Sequence, residues 1–355
     1  MDEITEQTIM QLDKLINQRI AKESPLISPQ QLILDIPRTD KETEIVSKGR
    51  KTIENIIDGK DKRIFLVVGP CSIHDINEAK EYSKKLAVLS KKVKDKIVII
   101  MRCYFEKPRT SLGWKGLCND PHLDGSNDIN QGLTQSRKLL KFNANLGLLS
   151  ATEYISLITP QYIGDYISWV AIGARTTESQ GHRSLASGLS VPVGFKNGTS
   201  GNVDIAINAV LTSHHKHSFE GTTMLNGVAI FETTGNPYTH IILRGGKEPN
   251  YGEDYIKKVQ KELINNNLKD NIIIDCSHGN SGKDPLNQSN VFIDVIKQVK
   301  KGNTGIKGLM LESYLESGNQ TFTKKANLKK GISITDACLG WKETEELILE
   351  GHKIL

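Results

Sequence analysis

Two groups of side chains in this 355-residue sequence could carry out chemistry. The first group combines a thiol, an imidazole and two carboxylates, from Cys71, His278, Glu312 and Asp336. This mixture suits a borderline divalent ion such as Mn, Fe, Co or Zn better than Mg or Ca, which prefer oxygen ligands throughout. Each residue also has a purely structural interpretation: free cysteines are often small buried apolar side chains, and an aspartate before a helix is often its N-cap. Their coincidence favours one divalent transition-metal site.

The second group is cationic. An arginine fork binds a phosphate or carboxylate through two parallel hydrogen bonds, and a lysine adds a compact point charge. The group has six members, which exceeds the need of a single phosphate: Arg102, Lys107, Arg109, Arg175, Lys196 and Arg244. We therefore expect small polyanionic substrates.

The elements that must position these residues form a repeating pattern. Short, continuous apolar runs alternate with longer stretches of helical periodicity, which predicts a parallel sheet covered by helices. Eight such units favour a (β/α)8 TIM barrel over a doubly wound sheet, and no G-x-G-x-x-G motif follows the first strand. The predicted strands are 64–68, 97–101, 148–152, 169–173, 191–195, 217–221, 271–275 and 306–311. The candidate side chains follow the carboxyl ends of these runs, where TIM-barrel active sites lie.

Two segments depart from the simple repeat. Residues 1–60 are predicted to be an N-terminal arm comprising a helix, the extended piece LILDIP and a second helix, before a catalytic barrel at 61–355. Residues 228–246 are predicted to be a β-hairpin around Gly235-Asn236, inserted after a weak sixth strand HSFEG at 217–221. The alternative, in which HIILR is the sixth barrel strand, remains open.

Composition excludes several classes of protein. The net charge of +5 is mild, and the few aromatic residues do not interleave with the lysine runs, so nucleic-acid binding by base stacking is not expected. No apolar stretch is long enough to span a membrane. Five widely spaced cysteines and an acidic, amphipathic N-terminus without an apolar signal region indicate a reducing compartment, and we expect a cytoplasmic protein.

From about residue 35 onward the motifs are similar to those of one enzyme family. The stretches are GPCSIHD, MRCYFEKPRT, GWKGLCNDPHLDGS, GARTTESQ, PVGFKNGT, HIILRGGKEPNY, DCSHGNS, ESYLESGNQ and SITDACLGW. In this order they resemble the class I 3-deoxy-D-arabino-heptulosonate 7-phosphate synthases. The resemblance implies a metal-dependent (β/α)8 barrel that condenses phosphoenolpyruvate with erythrose 4-phosphate in the first step of the shikimate pathway to aromatic amino acids.

The resemblance also implies roles for individual residues. Cys71, His278, Glu312 and Asp336 would hold the divalent metal, while His74 and Asp75 would be loop residues and not ligands. Phosphoenolpyruvate would bind to Arg102, Arg175, Lys196 and Arg244, and erythrose 4-phosphate to Lys107, Pro108, Arg109 and Thr110. The candidates for moving protons are Lys107, Glu153 and His278.

Regulation and assembly are further expectations. In relatives the N-terminal arm and the hairpin serve subunit contacts and inhibition by an aromatic amino acid, so we expect a homo-oligomer, dimer or tetramer, with such an inhibitor. Met224 in EGTTMLNG departs from the lysine that is common in the family near the inhibitor pocket. The alternatives are an inactive barrel that senses aromatic amino acids, or a synthase for another phosphosugar such as arabinose 5-phosphate.

Overall fold

The computed structural model describes residues 15–109 and 112–355. The strands are β1 (Ile64–Gly69), β2 (Ile97–Arg102), β3 (Leu149–Glu153), β4 (Ile167–Ile172), β5 (Val193–Lys196), β6 (Ser218–Thr222), β7 (Val228–Glu232), β8 (Thr239–Leu243), β9 (Ile272–Asp275) and β10 (Ile306–Glu312). Eight of them are parallel and close a barrel in the order β1-β10-β9-β8-β5-β4-β3-β2, while β6 and β7 form a separate antiparallel sheet. The predicted (β/α)8 barrel is confirmed.

The helices surround the barrel and connect its strands. The longer helices, such as Ile76–Val93 and Glu253–Asn265, are amphipathic: their apolar residues are buried, while most of their lysines and glutamates meet solvent. The helices are α1 (Pro29–Asp35), α2 (Asp40–Ile57), α3 (Ile76–Val93), α4 (Ile129–Asn145), α5 (Thr159–Ile163), α6 (Gln180–Gly188), α7 (Asp204–Ser213), α8 (Glu253–Asn265), α9 (Asn287–Lys300) and α10 (Trp341–Ile354), with short 3-10 turns at Gly164–Tyr166 and Lys325–Asn327.

The strands are continuously apolar because both of their faces are buried. In β1, Leu66 and Val68 pack in the layer between sheet and helices. Phe65 and Val67 belong to the core inside the barrel, together with Trp169. Alternate residues of a strand point to opposite faces, so one run of five apolar side chains supplies both cores.

Helix α2 closes the bottom of the barrel. Thr39 and Glu42 form a capping box at its start, each side chain accepting a hydrogen bond from the backbone N–H of the other residue. At its other end Ile53, Ile56 and Ile57 belong to the core inside the barrel. Residues 40–57 therefore contribute to the barrel core, while the division of the chain at residue 60 and the arm's role in subunit contacts remain predictions.

The predicted sixth barrel strand is wrong, and the alternative is confirmed. HSFEG does not enter the barrel: Ser218–Thr222 pairs antiparallel with Val228–Glu232, with Glu220 opposite Ile230. The sixth barrel strand is Thr239–Leu243, which lies between β5 and β9. Because β8 is buried on both faces whereas β6 and β7 are exposed on one, only β8 has the apolar pattern of a barrel strand. The inserted hairpin thus spans 218–232 and not 228–246.

The extended piece predicted at LILDIP is also wrong, since its first four residues are helical. Ser28 caps α1 by accepting a hydrogen bond from the N–H of Gln31, and Pro29 occupies the first turn, where its missing N–H is not needed. Of the preceding arm helix, residues 1–14 lie outside the described residues. Within the described ranges, we find no helix with the length and apolar character needed to span a bilayer.

Candidate active site

The carboxyl ends of the barrel strands surround a pocket of about 370 Å³. This volume is in the range of small-molecule sites, which run from about 300 to 1,000 Å³. Ten of the residues singled out in the sequence lie in its lining: Arg102, Lys107, Pro108, Arg109, Glu153, Arg175, Lys196, Arg244, His278 and Asp336. Thr110 lies outside the described residues. The parallel strands place the residues that follow them at one end of the barrel, so positions far apart in sequence converge.

Three of the four predicted metal ligands form one cluster. Ligand atoms of Cys71, Glu312 and Asp336 lie within 4.8 Å of one another. His278 adjoins this cluster, with its Nε2 atom 3.8 Å from Oε1 of Glu312, but it is not a member. A thiol beside two carboxylates is a donor set that suits a borderline divalent ion.

Glu312 is held rigidly at the end of β10. Its backbone N–H donates to Oε1 of Gln288 at 2.8 Å, and its C=O accepts from Nε2 of the same side chain at 3.0 Å. Arg102 donates from Nη2 to Oε1 of Glu312 at 2.8 Å. Because both side chains of this ion pair are buried, loss of either one would leave an uncompensated charge.

Cys71 is the fully buried thiol of the cluster. Burial, followed by the charge of Glu312, raises the pKa of its thiol to about 11. The Nζ atom of Lys107 approaches Sγ of Cys71 to 3.2 Å and donates to its C=O at 3.1 Å. Burial disfavours the Lys107 ammonium, yet Cys71 raises its pKa above the ordinary value. A cation beside the sulfur favours the thiolate, the form of cysteine that binds metals.

Arg102 has unused hydrogen-bonding capacity. Its guanidinium lies over the ring of Tyr104, 3.6 Å from the ring centre, and Nε donates to the C=O of Pro70 at 3.1 Å. Among the described residues, its buried Nη1 atom finds no hydrogen-bond partner. A buried donor without a partner carries a large desolvation cost, which an anionic ligand in the adjoining pocket would offset.

Asp275 is a site residue that was missed in the sequence. Its Oδ2 atom lies 2.9 Å from Nζ of Lys196 and 2.9 Å from Nδ1 of His278. Burial opposes the ionisation of Asp275, but Lys196 and His278 hold its pKa well below the ordinary range. An acidic residue ending the apolar run NIIID was the available signal, because only a strong partner permits a buried carboxylate there. Asp275 therefore joins a candidate substrate lysine to the candidate metal histidine.

The backbone around the pocket is specialised at two positions. His278 has φ of +56°, a left-handed conformation that is uncommon outside glycine and is concentrated at functional sites. At Gly173, after β4, a side chain would collide with Oε1 of Glu153. Glycine at 173 therefore leaves the space in which the Glu153 carboxylate lies.

His74 and Asp75 of the GPCSIHD loop make structural contacts, while their exclusion from the metal ligands remains a prediction. Asp75 caps α3, accepting hydrogen bonds from the N–H groups of Asn77 at 2.7 Å and Glu78 at 3.0 Å. His74 is buried with its ring edge-on to Tyr314. Burial lowers the pKa of His74 to about 4, so the imidazole is neutral at pH 7.

A second pocket, of about 480 Å³, lies outside the barrel against the hairpin. Phe219 and Phe231 of the hairpin stack with their ring centres 5.9 Å apart and form one wall. Leu185 and Leu189 also line the pocket, and Arg50, Asp165 and Glu232 supply charged groups to its lining. Aromatic and aliphatic walls with a few charged groups are typical of sites for amphipathic small molecules.

The chain matches the family described as "DAHP synthetase I family" over residues 35–349. It is 48% identical to "Phospho-2-dehydro-3-deoxyheptonate aldolase, Tyr-sensitive" of Salmonella typhimurium over 347 residues, covering 98% of each chain. It is 48% identical to the Phe-sensitive enzyme of Escherichia coli, covering 93% of this chain and 94% of that protein, and 46% identical to the Trp-sensitive one, covering 93% and 95%.

A solved structure agrees with these relatives. The phospho-2-dehydro-3-deoxyheptonate aldolase of Francisella tularensis is 47% identical and superposes with a TM-score of 0.92, covering 95% of this chain and 98% of that one. Fold, motif order and sequence identity lead to one conclusion: the chain belongs to the DAHP synthetase I family.

Proposed function

We propose that this protein condenses phosphoenolpyruvate with D-erythrose 4-phosphate and water to give 3-deoxy-D-arabino-heptulosonate 7-phosphate and phosphate. Carbon 3 of phosphoenolpyruvate attacks the aldehyde carbon of the sugar phosphate, water adds at carbon 2, and inorganic phosphate leaves. Membership of the family supports the reaction. The observation that carries it is the convergence of six predicted cations on a pocket adjoining the thiol–carboxylate cluster: Arg102, Lys107, Arg109, Arg175, Lys196 and Arg244.

The proposed metal ligands are Cys71, His278, Glu312 and Asp336, for one Mn, Fe, Co or Zn ion. The cluster of ligand atoms within 4.8 Å supports Cys71, Glu312 and Asp336. The distance of 3.8 Å from His278 to Glu312 supports His278. When bound, the ion supplies Lewis-acid polarisation of the aldehyde oxygen. Asp275 would orient the His278 imidazole through Nδ1, as outer carboxylates do for metal-binding histidines.

Phosphoenolpyruvate would bind through its phosphate and carboxylate to Arg102, Arg175, Lys196 and Arg244. Arg102 offers its buried Nη1 donor, and Lys196 is held at the end of β5 by Asp275. Holding the enolpyruvate in one orientation converts a two-substrate collision into a directed reaction. Well-oriented reactants reach effective concentrations of about 10⁵–10⁸ M.

Erythrose 4-phosphate would bind to Lys107, Pro108, Arg109 and Thr110. Lys107 lies beside Cys71 and would therefore be close to both substrates. The proposed proton-moving residues are Lys107, Glu153 and His278, which all line the pocket. An ammonium, a carboxylate and an imidazole together provide proton donors and acceptors. These groups would serve the proton transfers that follow carbon–carbon bond formation and water addition.

The test is phosphate release from phosphoenolpyruvate. We expect release to require erythrose 4-phosphate, to stop with a chelator and to return when Mn²⁺ is added. Equal or faster release with arabinose 5-phosphate would favour the synthase for another phosphosugar. No release with either sugar in metal-loaded protein would favour the inactive, sensing barrel.

The proposed regulator is an aromatic amino acid bound in the second pocket against the stacked rings of Phe219 and Phe231. The stacked rings would bind its side chain, and Arg50, Asp165 and Glu232 are charges to which its carboxylate and ammonium groups could pair. The relatives named as Tyr-, Phe- or Trp-sensitive support this proposal. Initial rates with each amino acid at millimolar concentration identify the effector, and no inhibition by any of them would reject it.

The proposed assembly is a homo-oligomer in a reducing, cytoplasmic compartment. The outer face of the hairpin exposes Val228 and Ile230, at 83% and 76% of their surface, which supports burial against another subunit. All five cysteines are free and buried, which supports the compartment. Light scattering at micromolar concentration that detects only a 39.4 kDa species would contradict the oligomer.

A further inference from the structure

Three asparagines connect the loops that follow β5, β8 and β9. Asn197, Asn250 and Asn280 are exposed by 0%, 3% and 4% of their surface. A buried amide must satisfy its two donors and its carbonyl, or it destabilises the fold. The hydrogen-bond partners of the three amides therefore identify the groups that these side chains position.

Asn197 forms hydrogen bonds to the backbone of Arg244 and of the residue that follows it. Its Oδ1 atom accepts from the N–H of Arg244 at 2.8 Å, and its Nδ2 donates to the C=O of Gly245 at 3.0 Å. Asn250 donates from Nδ2 to the same Oδ1 at 3.2 Å, and its own Oδ1 accepts from the N–H of Gly245 at 2.7 Å. The peptide groups around Arg244 are thus held by two buried amides.

Asn280 ties this pair to the end of β9. Its Oδ1 atom accepts from the N–H of Asn250 at 2.7 Å, while its Nδ2 donates to the C=O of Leu243 at 3.1 Å and of Asp275 at 2.9 Å. Each of the three side-chain amides both donates and accepts hydrogen bonds. Aspartate has the same shape as asparagine but no N–H group, so it could not replace any of the three asparagines.

Glycines allow the loops to approach closely enough for these bonds. A Cβ atom at Gly245, which has φ of +71°, would lie 2.5 Å from the backbone N of Asn280. The N–H of Gly279 donates to the C=O of Arg244 at 3.0 Å. Both the amide and the carbonyl of Arg244 are therefore fixed, whereas its guanidinium lines the pocket.

We propose that Asn197, Asn250 and Asn280 form a positioning network for Arg244 that sets the affinity for the anionic groups of phosphoenolpyruvate. The proposal rests on the proposed function, in which Arg244 binds that substrate. The network itself does not touch the reacting atoms. It fixes the origin of a long, flexible side chain, so that less conformational entropy is lost when the guanidinium closes on its ligand.

The test compares Asn250→Ala with Asn271→Ala. Asn271 is a matched control, since it is also buried and donates to a backbone carbonyl, that of Ile57, at the opposite end of the barrel. Calorimetry on the metal-loaded protein measures phosphoenolpyruvate binding, and kinetics give KM and kcat. We expect Asn250→Ala to weaken binding and raise KM for phosphoenolpyruvate about tenfold, with kcat and KM for erythrose 4-phosphate within about threefold of wild type, as expected for two lost neutral hydrogen bonds. Asn271→Ala should leave all of these unchanged.

A double-mutant cycle separates positioning from general loosening. In an Arg244→Ala background, Asn250→Ala should have little further effect, because the side chain that it positions is gone. The same tenfold loss in both backgrounds, or an equal loss from Asn271→Ala, would overturn the proposal. If Asn250→Ala does not fold, Asn280→Ser provides the same comparison with a smaller cavity.

Failure of the proposed function would give a different result. A wild-type protein that binds phosphoenolpyruvate but releases no phosphate would reject the reaction, while the calorimetric cycle would still test the network. A wild-type protein that is active, with Asn250→Ala indistinguishable from it in both binding and KM, would reject the network alone.

Discussion

The two pockets of this protein have similar volumes but opposite characters. The pocket inside the rim of the barrel, about 370 Å³, is surrounded by charged side chains at strand ends, and several of these are fully buried. The pocket beside the hairpin, about 480 Å³, has stacked phenylalanines and leucines in its walls. The first suits small polyanions and a metal ion; the second suits a ligand with an apolar body.

The difference between the two pockets shows where this fold stabilises buried charges. Arg102, Lys196, Asp275 and Glu312 are buried because each has a close partner of opposite charge. Those partners come from strands that flank a common neighbour: β2 and β10 both pair with β1, and β5 and β9 both pair with β8. The closed barrel brings the ends of such alternate strands together at its rim. The hairpin pocket also borders a paired charge, since Asp165 binds the buried Arg137 at 2.6 Å. Its walls, however, belong to helices, loops and a two-stranded sheet, so its shape does not depend on the ends of the barrel strands.

The largest effect should come from removing a metal ligand from the barrel pocket. We expect Cys71→Ala and His278→Ala each to lower bound metal and kcat at least about 100-fold in a folded protein, since even outer-shell changes cost 10–100-fold. Metal content by atomic emission and phosphate release are the measurements. Cys118→Ala is the control, because Cys118 is buried against Ser136 and away from the cluster.

The His278 variant is the sharper of the two. The structure groups Cys71, Glu312 and Asp336, and leaves His278 beside them. Full metal content in His278→Ala with low activity would restrict His278 to proton transfer. Full metal content and activity in Cys71→Ala would reject the ligand set.

The next effect should come from the substrate cations. Lys196→Ala should weaken phosphoenolpyruvate binding by roughly 10–100-fold, because charge-assisted hydrogen bonds are worth about 1.5–3 kcal/mol and Asp275 would be left with a buried, poorly compensated charge. Calorimetry measures the dissociation constant. Lys258→Ala, a surface lysine 3.9 Å from Glu262, should have no effect. An unchanged dissociation constant in Lys196→Ala would remove Lys196 from the site.

A smaller and more selective effect is expected at the hairpin pocket. Phe231→Ala should raise the inhibition constant of the aromatic effector roughly tenfold while leaving the uninhibited rate within about twofold, since an aromatic pair contributes about 0.5–1.5 kcal/mol beyond burial. Ile230→Ala, on the opposite and exposed face of the same strand, is the control and should retain inhibition. Loss of the uninhibited rate in Phe231→Ala would show that the two pockets are not separable.

The last prediction concerns the stability of the fold and should leave the function of both pockets unchanged. His240 lies inside the barrel, where its Nε2 accepts from Nε1 of Trp169 at 3.1 Å, and burial lowers its pKa from 6.5 to about 4. Between those pH values the unfolded chain binds a proton that the folded protein does not, so stability falls as pH drops. From pH 7 to 5 this group should cost about 2 kcal/mol.

His240→Gln tests this contribution because it retains an acceptor for Trp169 and cannot titrate. Urea unfolding at pH 7 and pH 5 should show a smaller loss of stability in the variant than in the wild type. An equal loss in both proteins would assign the acid sensitivity to other groups.

The barrel and most of its rim could be predicted because both depend on short stretches of sequence. Five-residue apolar runs such as IFLVV specify strands buried on both faces, and the residue after each run must lie at the active rim. Ten predicted pocket residues were found there for this reason. The sixth strand was misassigned because HSFEG and HIILR are both short strands, and their membership of different sheets depends on pairing with distant partners.

The types and order of the residues determined the fold class, the family and the set of side chains at the rim. Periodicity and motif order are local properties of the chain and can be found without the structure. What the folded chain decided is which of these side chains meet. Asp275 acquires its role through Lys196, 79 positions earlier, and the asparagines through loops 30 to 53 residues apart. Such contacts depend on barrel closure and on glycines that let loops touch, and no local pattern encodes a distance between residues that far apart.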